Sequence, residues 1–286
     1  MLTQEIINEA VLRALHEDAS TGDITSQNLI PESATATAQL RAREAGVFSG
    51  GQVFASAFML VDPAVQVQLF VEDGAHMEAG QLLAEVSGSA RSVLRAERIG
   101  LNFAQRMSGI ATLTAQYVNA IAGTKARILD TRKTTPGLRE FERAAVRAGG
   151  GVNHRFSLSD AVLAKDNHLA VLTAGGKDLA TELKRVRTQV GPDIKIEVEV
   201  DHIDQIAPVL AGGVDIIMLD NFTLDELREG VALVAGRAVV EASGNVRLDT
   251  VRAIAETGVD VISVGALTHS ARALDLGLDI SLEVTV

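Results

Sequence analysis

Residues 194–265 read IKIEVEVDHIDQIAPVLAGGVDIIMLDNFTLDELREGVALVAGRAVVEASGNVRLDTVRAIAETGVDVISVG. Four β-branched, apolar runs stand in this stretch: IKIEVEV (194–200), VDIIML (214–219), AVVEA (238–242) and VDVISV (259–264). Between them, residues 203–211, 224–235 and 248–257 carry helical spacing. Runs that are apolar at nearly every position are the mark of parallel strands buried on both faces. Strand and helix in alternation give an α/β layout. Working outward, ARILD (126–130) and AVLAK (161–165) add two strands, and residues 177–188 another helix. A closed eight-unit barrel takes roughly 250 residues, and about 160 remain from residue 126 onward. The expectation is therefore an open, incomplete α/β barrel over residues 114–274.

The first third reads differently. ATATAQLRA (34–42) and VQVQLFV (65–71) alternate as half-buried strands do. Gly74 and Gly80 mark turns before a strand at LLAEV (82–86), and residues 90–122 form a long helical stretch in which Gly109 is a candidate kink or break. In GDITS, from residue 22, a helix stop is followed by a capped turn. A smaller α+β sandwich domain over residues 1–113 follows, with the tail 275–286 expected to pack back on it.

Composition narrows the function. The chain has 286 residues, no cysteine and a net charge of −11. Disulfides and thiolate metal sites are excluded, and a reducing, cytoplasmic setting is expected. The acidic balance argues against a nucleic-acid or anionic-membrane surface, and no apolar run is long enough to cross a bilayer. The opening MLTQEIINEAVLRALHEDA reads as an acidic amphipathic helix, not a signal peptide. Yet residues 125–165 hold nine Lys/Arg against four acids, a local excess of five positive charges. Cations concentrated in one stretch of an acidic protein point to a small, highly anionic ligand, although Arg143 and Arg147 by themselves fit a solvated helix face.

Barrel enzymes carry their chemistry at the carboxyl ends of the strands. There this sequence places Asp130 to Arg139, then Asn153-His154-Arg155, then Lys165-Asp166-Asn167-His168. Glu197 and Glu199 alternate on one face of their strand, Asp220-Asn221 closes the next, and Glu241-Ala242-Ser243-Gly244-Asn245 and Gly265 to His269 close the last two. On the residues alone, Lys165 also fits a Schiff-base lysine, and His154 and His168 also fit metal ligands.

These strings resemble the quinolinate phosphoribosyltransferases. LDTRKTTPGLR (129–139), GGGVNHRFSLSDAVLAKDNH (149–168), IEVEV (196–200), MLDN (218–221), EASGN (241–245) and GVDVISVGALTHS (258–270) carry the resemblance. HEDASTGDITS (16–26) and RAERIGLNFAQRMSGIAT (95–112) extend it over nearly the whole chain in one order. The resemblance implies a Mg²⁺-assisted transfer of phosphoribose from phosphoribosyl pyrophosphate to quinolinate, with loss of CO₂, giving nicotinate mononucleotide for NAD synthesis. It implies Arg132, His154, Arg155 and Lys165 on the two carboxylates, with Arg98 supplied across a homodimer whose sites are shared, and dimers open to stacking into hexamers. Lys133 is expected at the phosphates and Arg139 in a binding role. Glu197 and Asp220 are expected at the ribose and the magnesium, and Ser243, Gly244, Gly265 and His269 at the 5′-phosphate. Glu199 is read as a supporting or solvated acid. Two departures from the family's pattern flank the site: Glu142-Arg143-Ala144-Ala145 lacks an aromatic, and Phe156-Ser157 stands where a glycine is common.

Overall fold

A computed structural model describes residues 2–284; of the expected tail, residues 285 and 286 lie outside the described residues. The chain divides into two compact units.

The first unit comprises the residues up to 115, residues 135–150 and the residues from 270 onward. Its antiparallel sheet orders the strands Leu276–Glu283, Thr35–Ala42, Leu82–Ser89 and Gln66–Leu69. The strand Thr35–Ala42 buries Ala36, Ala38, Leu40 and Ala42, so the period-2 pattern is realised as one inward face. Phe48, Phe54 and Phe58 are fully buried in the same unit. The helix Gly51–Val61 begins where both carboxylate oxygens of Asp73 accept the backbone N–H groups of Gly50 and Gly51, each at 2.9 Å. That satisfies donors that a helix start leaves without partners.

The helix Ala90–Ala120 runs unbroken through Gly109. This glycine is there for close approach: a Cβ would stand 1.9 Å from the carbonyl oxygen of Arg272. Residues 135–150, which the sequence reading gave to the barrel, cluster with the first unit instead. The helix Arg139–Ala148 packs on the long helix through an Arg106–Glu142 ion pair at 2.7 Å, with Glu142 buried. The Phe103 and Phe141 rings lie 5.3 Å apart, and at Gly149 a Cβ would meet the Ala111 carbonyl oxygen at 2.3 Å.

The second unit, residues 116–134 and 151–269, holds six parallel strands. Their order is Arg127–Leu129, Val261–Ser263, Val239–Ser243, Ile216–Asp220, Ile196–Val200, Val162–Ala164. The first strand in sequence thus pairs with the last, curling the sheet, while Val162–Ala164 is left as an edge among the described residues. Val152 adds a parallel bridge beside Leu129. This is the open α/β barrel. Helices Leu179–Val190, Ile206–Ala211, Leu224–Val234 and Val251–Ala255 connect its later strands. At the amino ends of the strands, Asp215 accepts from the Ile196 N–H and pairs with Arg187 and Lys195, and Asp260 accepts from the Val240 N–H and from Lys125. These carboxylates tie strands together at the end away from the chemistry.

Candidate active site

The site is assembled on the carboxyl rim of the second unit. The loop after Arg127–Leu129 carries Thr131, Arg132 and Lys133, and it is held by two bonds. The Thr131 hydroxyl accepts from the Lys133 N–H at 3.1 Å, and the Thr268 hydroxyl donates to the Lys133 carbonyl at 2.7 Å. Asp130, fully buried, fixes the next segment: one oxygen accepts the His154 N–H at 2.7 Å and the other the Asn153 amide at 2.6 Å. Arg155 donates to the Ala161 carbonyl at 2.8 Å. Lys165 follows the edge strand and pairs with Glu199.

Two adjoining cavities open on this rim. One, of about 410 Å³, is lined by Arg132, Lys133, His154, Arg155, Lys165, Glu199 and Asp220, among others. The other, of about 560 Å³, has Lys133, Asp220, Ser243, Gly244, Asn245, Arg247, Gly265 and His269 in its wall. The structure thus brings eleven of the expected residues together: Arg132, Lys133, His154, Arg155, Lys165, Asp220, Ser243, Gly244, Gly265 and His269 on the walls, and Glu197 just behind them. Burial and the neighbouring Arg132 charge lower the Arg155 pKa against the opposing pull of Glu197 and Asp160. Two guanidinium groups held that close fit a ligand with more than one negative charge.

The glycine-bearing loops make close approach possible. Gly244 has φ +95°, and a Cβ there would meet the Asn221 side chain at 2.2 Å. Asn221 and Asn245 are themselves left-handed, with φ of 58° and 47°, and their side chains bond at 3.1 Å. Non-glycine residues held at positive φ cluster at functional loops. At Gly265 a Cβ would crowd His269 Nε2 at 3.0 Å and the Lys133 chain at 3.3 Å.

Glu197 requires a correction. It is 2% exposed and sits beneath the cavity, 3.2 Å from His154 Nε2, not on the cavity wall. Glu199, two residues nearer the carboxyl end of the same strand, is the glutamate that faces the cavity. Alternation gave both residues one face, but depth in the barrel separates them. Arg98 is exposed on the long helix and Arg139 begins the next one; both belong to the first unit, and the two rim cavities are lined without them.

Beneath the rim lies a buried cluster of His154, Glu197 and Glu241. His154 Nδ1 accepts the Arg155 N–H at 2.8 Å, and its Nε2 faces Glu197 at 3.2 Å and Glu241 at 3.6 Å. The Ser263 hydroxyl donates to Glu241 at 2.5 Å. Burial, then the Glu197 charge, pushes the Glu241 carboxyl up to about 7. For His154, burial disfavours the cation, but the bond to Glu197 and the charges of Glu241, Glu197 and Asp130 outweigh it and raise its pKa. The Arg155 N–H works the other way, since only an unprotonated Nδ1 accepts it. Sequence reasoning named Glu241 at a strand end but gave it no role, although a charge inside an otherwise apolar strand, VVEAS, was the signal. Asn245 was likewise named without a role, and Arg247 was passed over as a wall residue; its only mark was position, shortly after a strand end.

Comparison with known proteins settles the relationship. Residues 23–108 match the N-terminal domain of quinolinate phosphoribosyl transferase, and residues 110–279 match its C-terminal domain. The chain belongs to the quinolinate phosphoribosyltransferase family. A protein of Mycobacterium leprae called nicotinate-nucleotide pyrophosphorylase [carboxylating] is 43% identical over 95% of this chain and 96% of its own. A probable enzyme of the same description from Bacillus subtilis is 41% identical over 93% of this chain and 90% of its own. The crystal structure of NadC from Streptococcus pyogenes superposes with a TM-score of 0.94 at 39% identity, covering 99% of both chains. Human nicotinic acid phosphoribosyltransferase, 16% identical with a TM-score of 0.54, shares the fold alone. Among the described residues, no helix is long and apolar enough to cross a membrane.

Proposed function

We propose that this chain joins quinolinate to the phosphoribosyl group of phosphoribosyl pyrophosphate, releasing pyrophosphate and CO₂ and yielding nicotinate mononucleotide for NAD synthesis. The observation that carries this reading is the rim itself. Arg132, Arg155 and Lys165 meet in one cavity, beside a second cavity walled by Ser243, Gly244 and Gly265. A dicarboxylate suits the first, and a sugar phosphate suits backbone and glycine in the second.

The chemistry asks for positioning more than for acid–base work. The pyridine nitrogen already has its lone pair and attacks the anomeric carbon; the bond to pyrophosphate breaks as the N–C bond forms. Positive charge grows on the ribose, where Glu199 faces the cavity and stabilises it. Lys133, reaching both cavities, meets the departing phosphates. The quaternised ring then holds the electron pair left at C2 when CO₂ departs, and that carbon takes up a proton. Asp220 also faces both cavities, and its carboxylate suits a hard cation. Bound there, Mg²⁺ would neutralise the pyrophosphate.

The reading includes a homodimer in which Arg98 of one chain completes the site of the other. In its support, an apolar groove of about 960 Å³ runs along the barrel's open edge into Arg132, Arg155 and Lys165. Leu158 and Val171 stand 71% and 75% exposed there, as residues awaiting a cover do. A cytoplasmic setting suits a chain without cysteine.

The test is direct: supply quinolinate, phosphoribosyl pyrophosphate and Mg²⁺, with nicotinate in a parallel reaction, and follow nicotinate mononucleotide and CO₂ by mass spectrometry. Product from quinolinate alone supports the reading. Pyrophosphate release only with some other base overturns the acid pocket while keeping the sugar site. For the shared site, Arg98→Ala chains are mixed with Lys165→Ala chains; mixed dimers without restored activity overturn sharing.

A further inference from the structure

The mechanism leaves Glu241 without a task. It is fully buried in the middle of a barrel strand, and its Oε2 and the Oε1 of Glu197 have no hydrogen-bond partner and no solvent-exposed surface. Two such carboxylates side by side are costly unless one carries the proton that joins them. Every other polar atom of the cluster has an assigned role. Ser263 donates to Glu241 Oε1, Nε2 of His154 faces Glu197 Oε2, and Nδ1 of His154 accepts the Arg155 N–H. Because Nδ1 accepts, the ring proton sits on Nε2 and points down at Glu197. That tautomer leaves Nε2 no lone pair for a metal ion, so this histidine–glutamate cluster is a hydrogen-bonded chain and not a cation site.

We infer that Glu241 is a positioning residue for the acid-binding wall: bonded to Ser263 on one side and joined to Glu197 by a shared proton on the other, it fixes Glu197, and through Glu197 the His154 ring and the Arg155 backbone that rests on it. The chain runs Ser263, Glu241, Glu197, His154, Arg155, from a strand interior up to a guanidinium that lines the cavity. Asp130 clamps the same segment from its other side through the His154 N–H. The inference rests on the proposed reaction only for its kinetic consequence.

Two variants separate hydrogen bonding from charge and from bulk. In Glu241→Gln the amide accepts from Ser263 and donates to Glu197, so the chain survives without a shared proton. In Glu241→Val the chain is cut and Glu197 loses its partner. With quinolinate and phosphoribosyl pyrophosphate as substrates, Glu241→Val is expected to raise the quinolinate KM at least about tenfold, as a lost buried hydrogen bond does. The phosphoribosyl pyrophosphate KM should stay within about threefold of the parent, and Glu241→Gln should restore the quinolinate KM to a similar margin. A second readout needs no substrate: the ¹⁵N shifts of the His154 ring, assigned by His154→Gln, should report the Nε2–H tautomer in the parent and in Glu241→Gln, and a mixture in Glu241→Val. The inference is overturned if Glu241→Gln is as damaging as Glu241→Val, which would mean that the negative charge matters. It is also overturned if both KM values rise together, or if the His154 tautomer ignores Glu241. If the parent does not turn over quinolinate, the reaction reading fails, and the ring shifts still decide the chain.

Discussion

The rim of the barrel collects Arg132, Lys133, Arg155 and Lys165 around an open cavity, while the layer beneath holds Glu197 and Glu241 at 2% and 0% exposure. The two layers solve opposite electrostatic problems. Cations at the rim line an open cavity, so an anionic ligand can reach them. The acids below are buried side by side, so one of them takes a proton and their value lies in geometry. One strand, Ile196–Val200, contributes to both layers through residues two positions apart: Glu199 belongs to the rim and Glu197 to the floor.

Substitutions at the rim should break this contrast most severely. Arg132→Ala and Lys165→Ala are each expected to lower kcat/KM for quinolinate roughly a thousandfold, the scale of removing one partner of a buried charge pair, read by steady-state kinetics. The glutamates of the shared strand come next. Glu199→Gln should reduce kcat/KM about a hundredfold, since it weakens a charge set against the developing cation. Glu197→Gln should cost less than about tenfold, because an amide still accepts from His154 and can donate to Glu241. Equal losses at the two positions would mean that the layers are not distinct. Asp130→Ala, which strips partners from two part-buried donors, should lower stability by about 2 kcal/mol, read by urea denaturation.

The floor also predicts a pH effect of known sign. The Glu241 carboxyl is raised from 4.5 to about 7 in the folded chain. Its contribution to stability is therefore fully present below pH 4.5 and is lost as the pH rises toward about 7. Glu241→Gln should flatten that part of the profile, measured as the urea midpoint at pH 5 and pH 8. The smallest effect belongs to the first unit. Glu44, held down to about 2 by its bond to Arg272 and the Asp275 N–H, contributes above pH 4.5 and loses that contribution as the pH falls through about 2. Both partners of this pair are solvated, so Glu44→Gln should shift the thermal midpoint by an amount equivalent to no more than about 1 kcal/mol.

Much of the candidate site is legible in the sequence. The six parallel strands lie within a residue or two of the runs ARIL, AVLA, IKIEVEV, VDIIML, AVVEA and VDVISV, because a strand buried on both faces must be apolar nearly throughout. Lys165, Asp220, Ser243 and Gly265 end or follow such runs, so the rim could be read from where polarity resumes. Depth could not. Period-2 alternation says which face Glu197 and Glu199 share, not which of them reaches the cavity. The same limit hid the task of Glu241, whose partners Ser263 and Glu197 come from other strands.

What the sequence by itself determined is the repeating strand–helix pattern and the residue types at its turning points, since both follow from local periodicity and composition. Tertiary structure alone decided three things. It drew residues 135–150 into the first unit through Glu142 and Gly149, and it made Gly109 a contact point instead of a break. It also set one glutamate at the cavity and left two in the dark below it. Each depends on which atoms from distant parts of the chain come within a few ångströms, and no pattern along the chain encodes that distance.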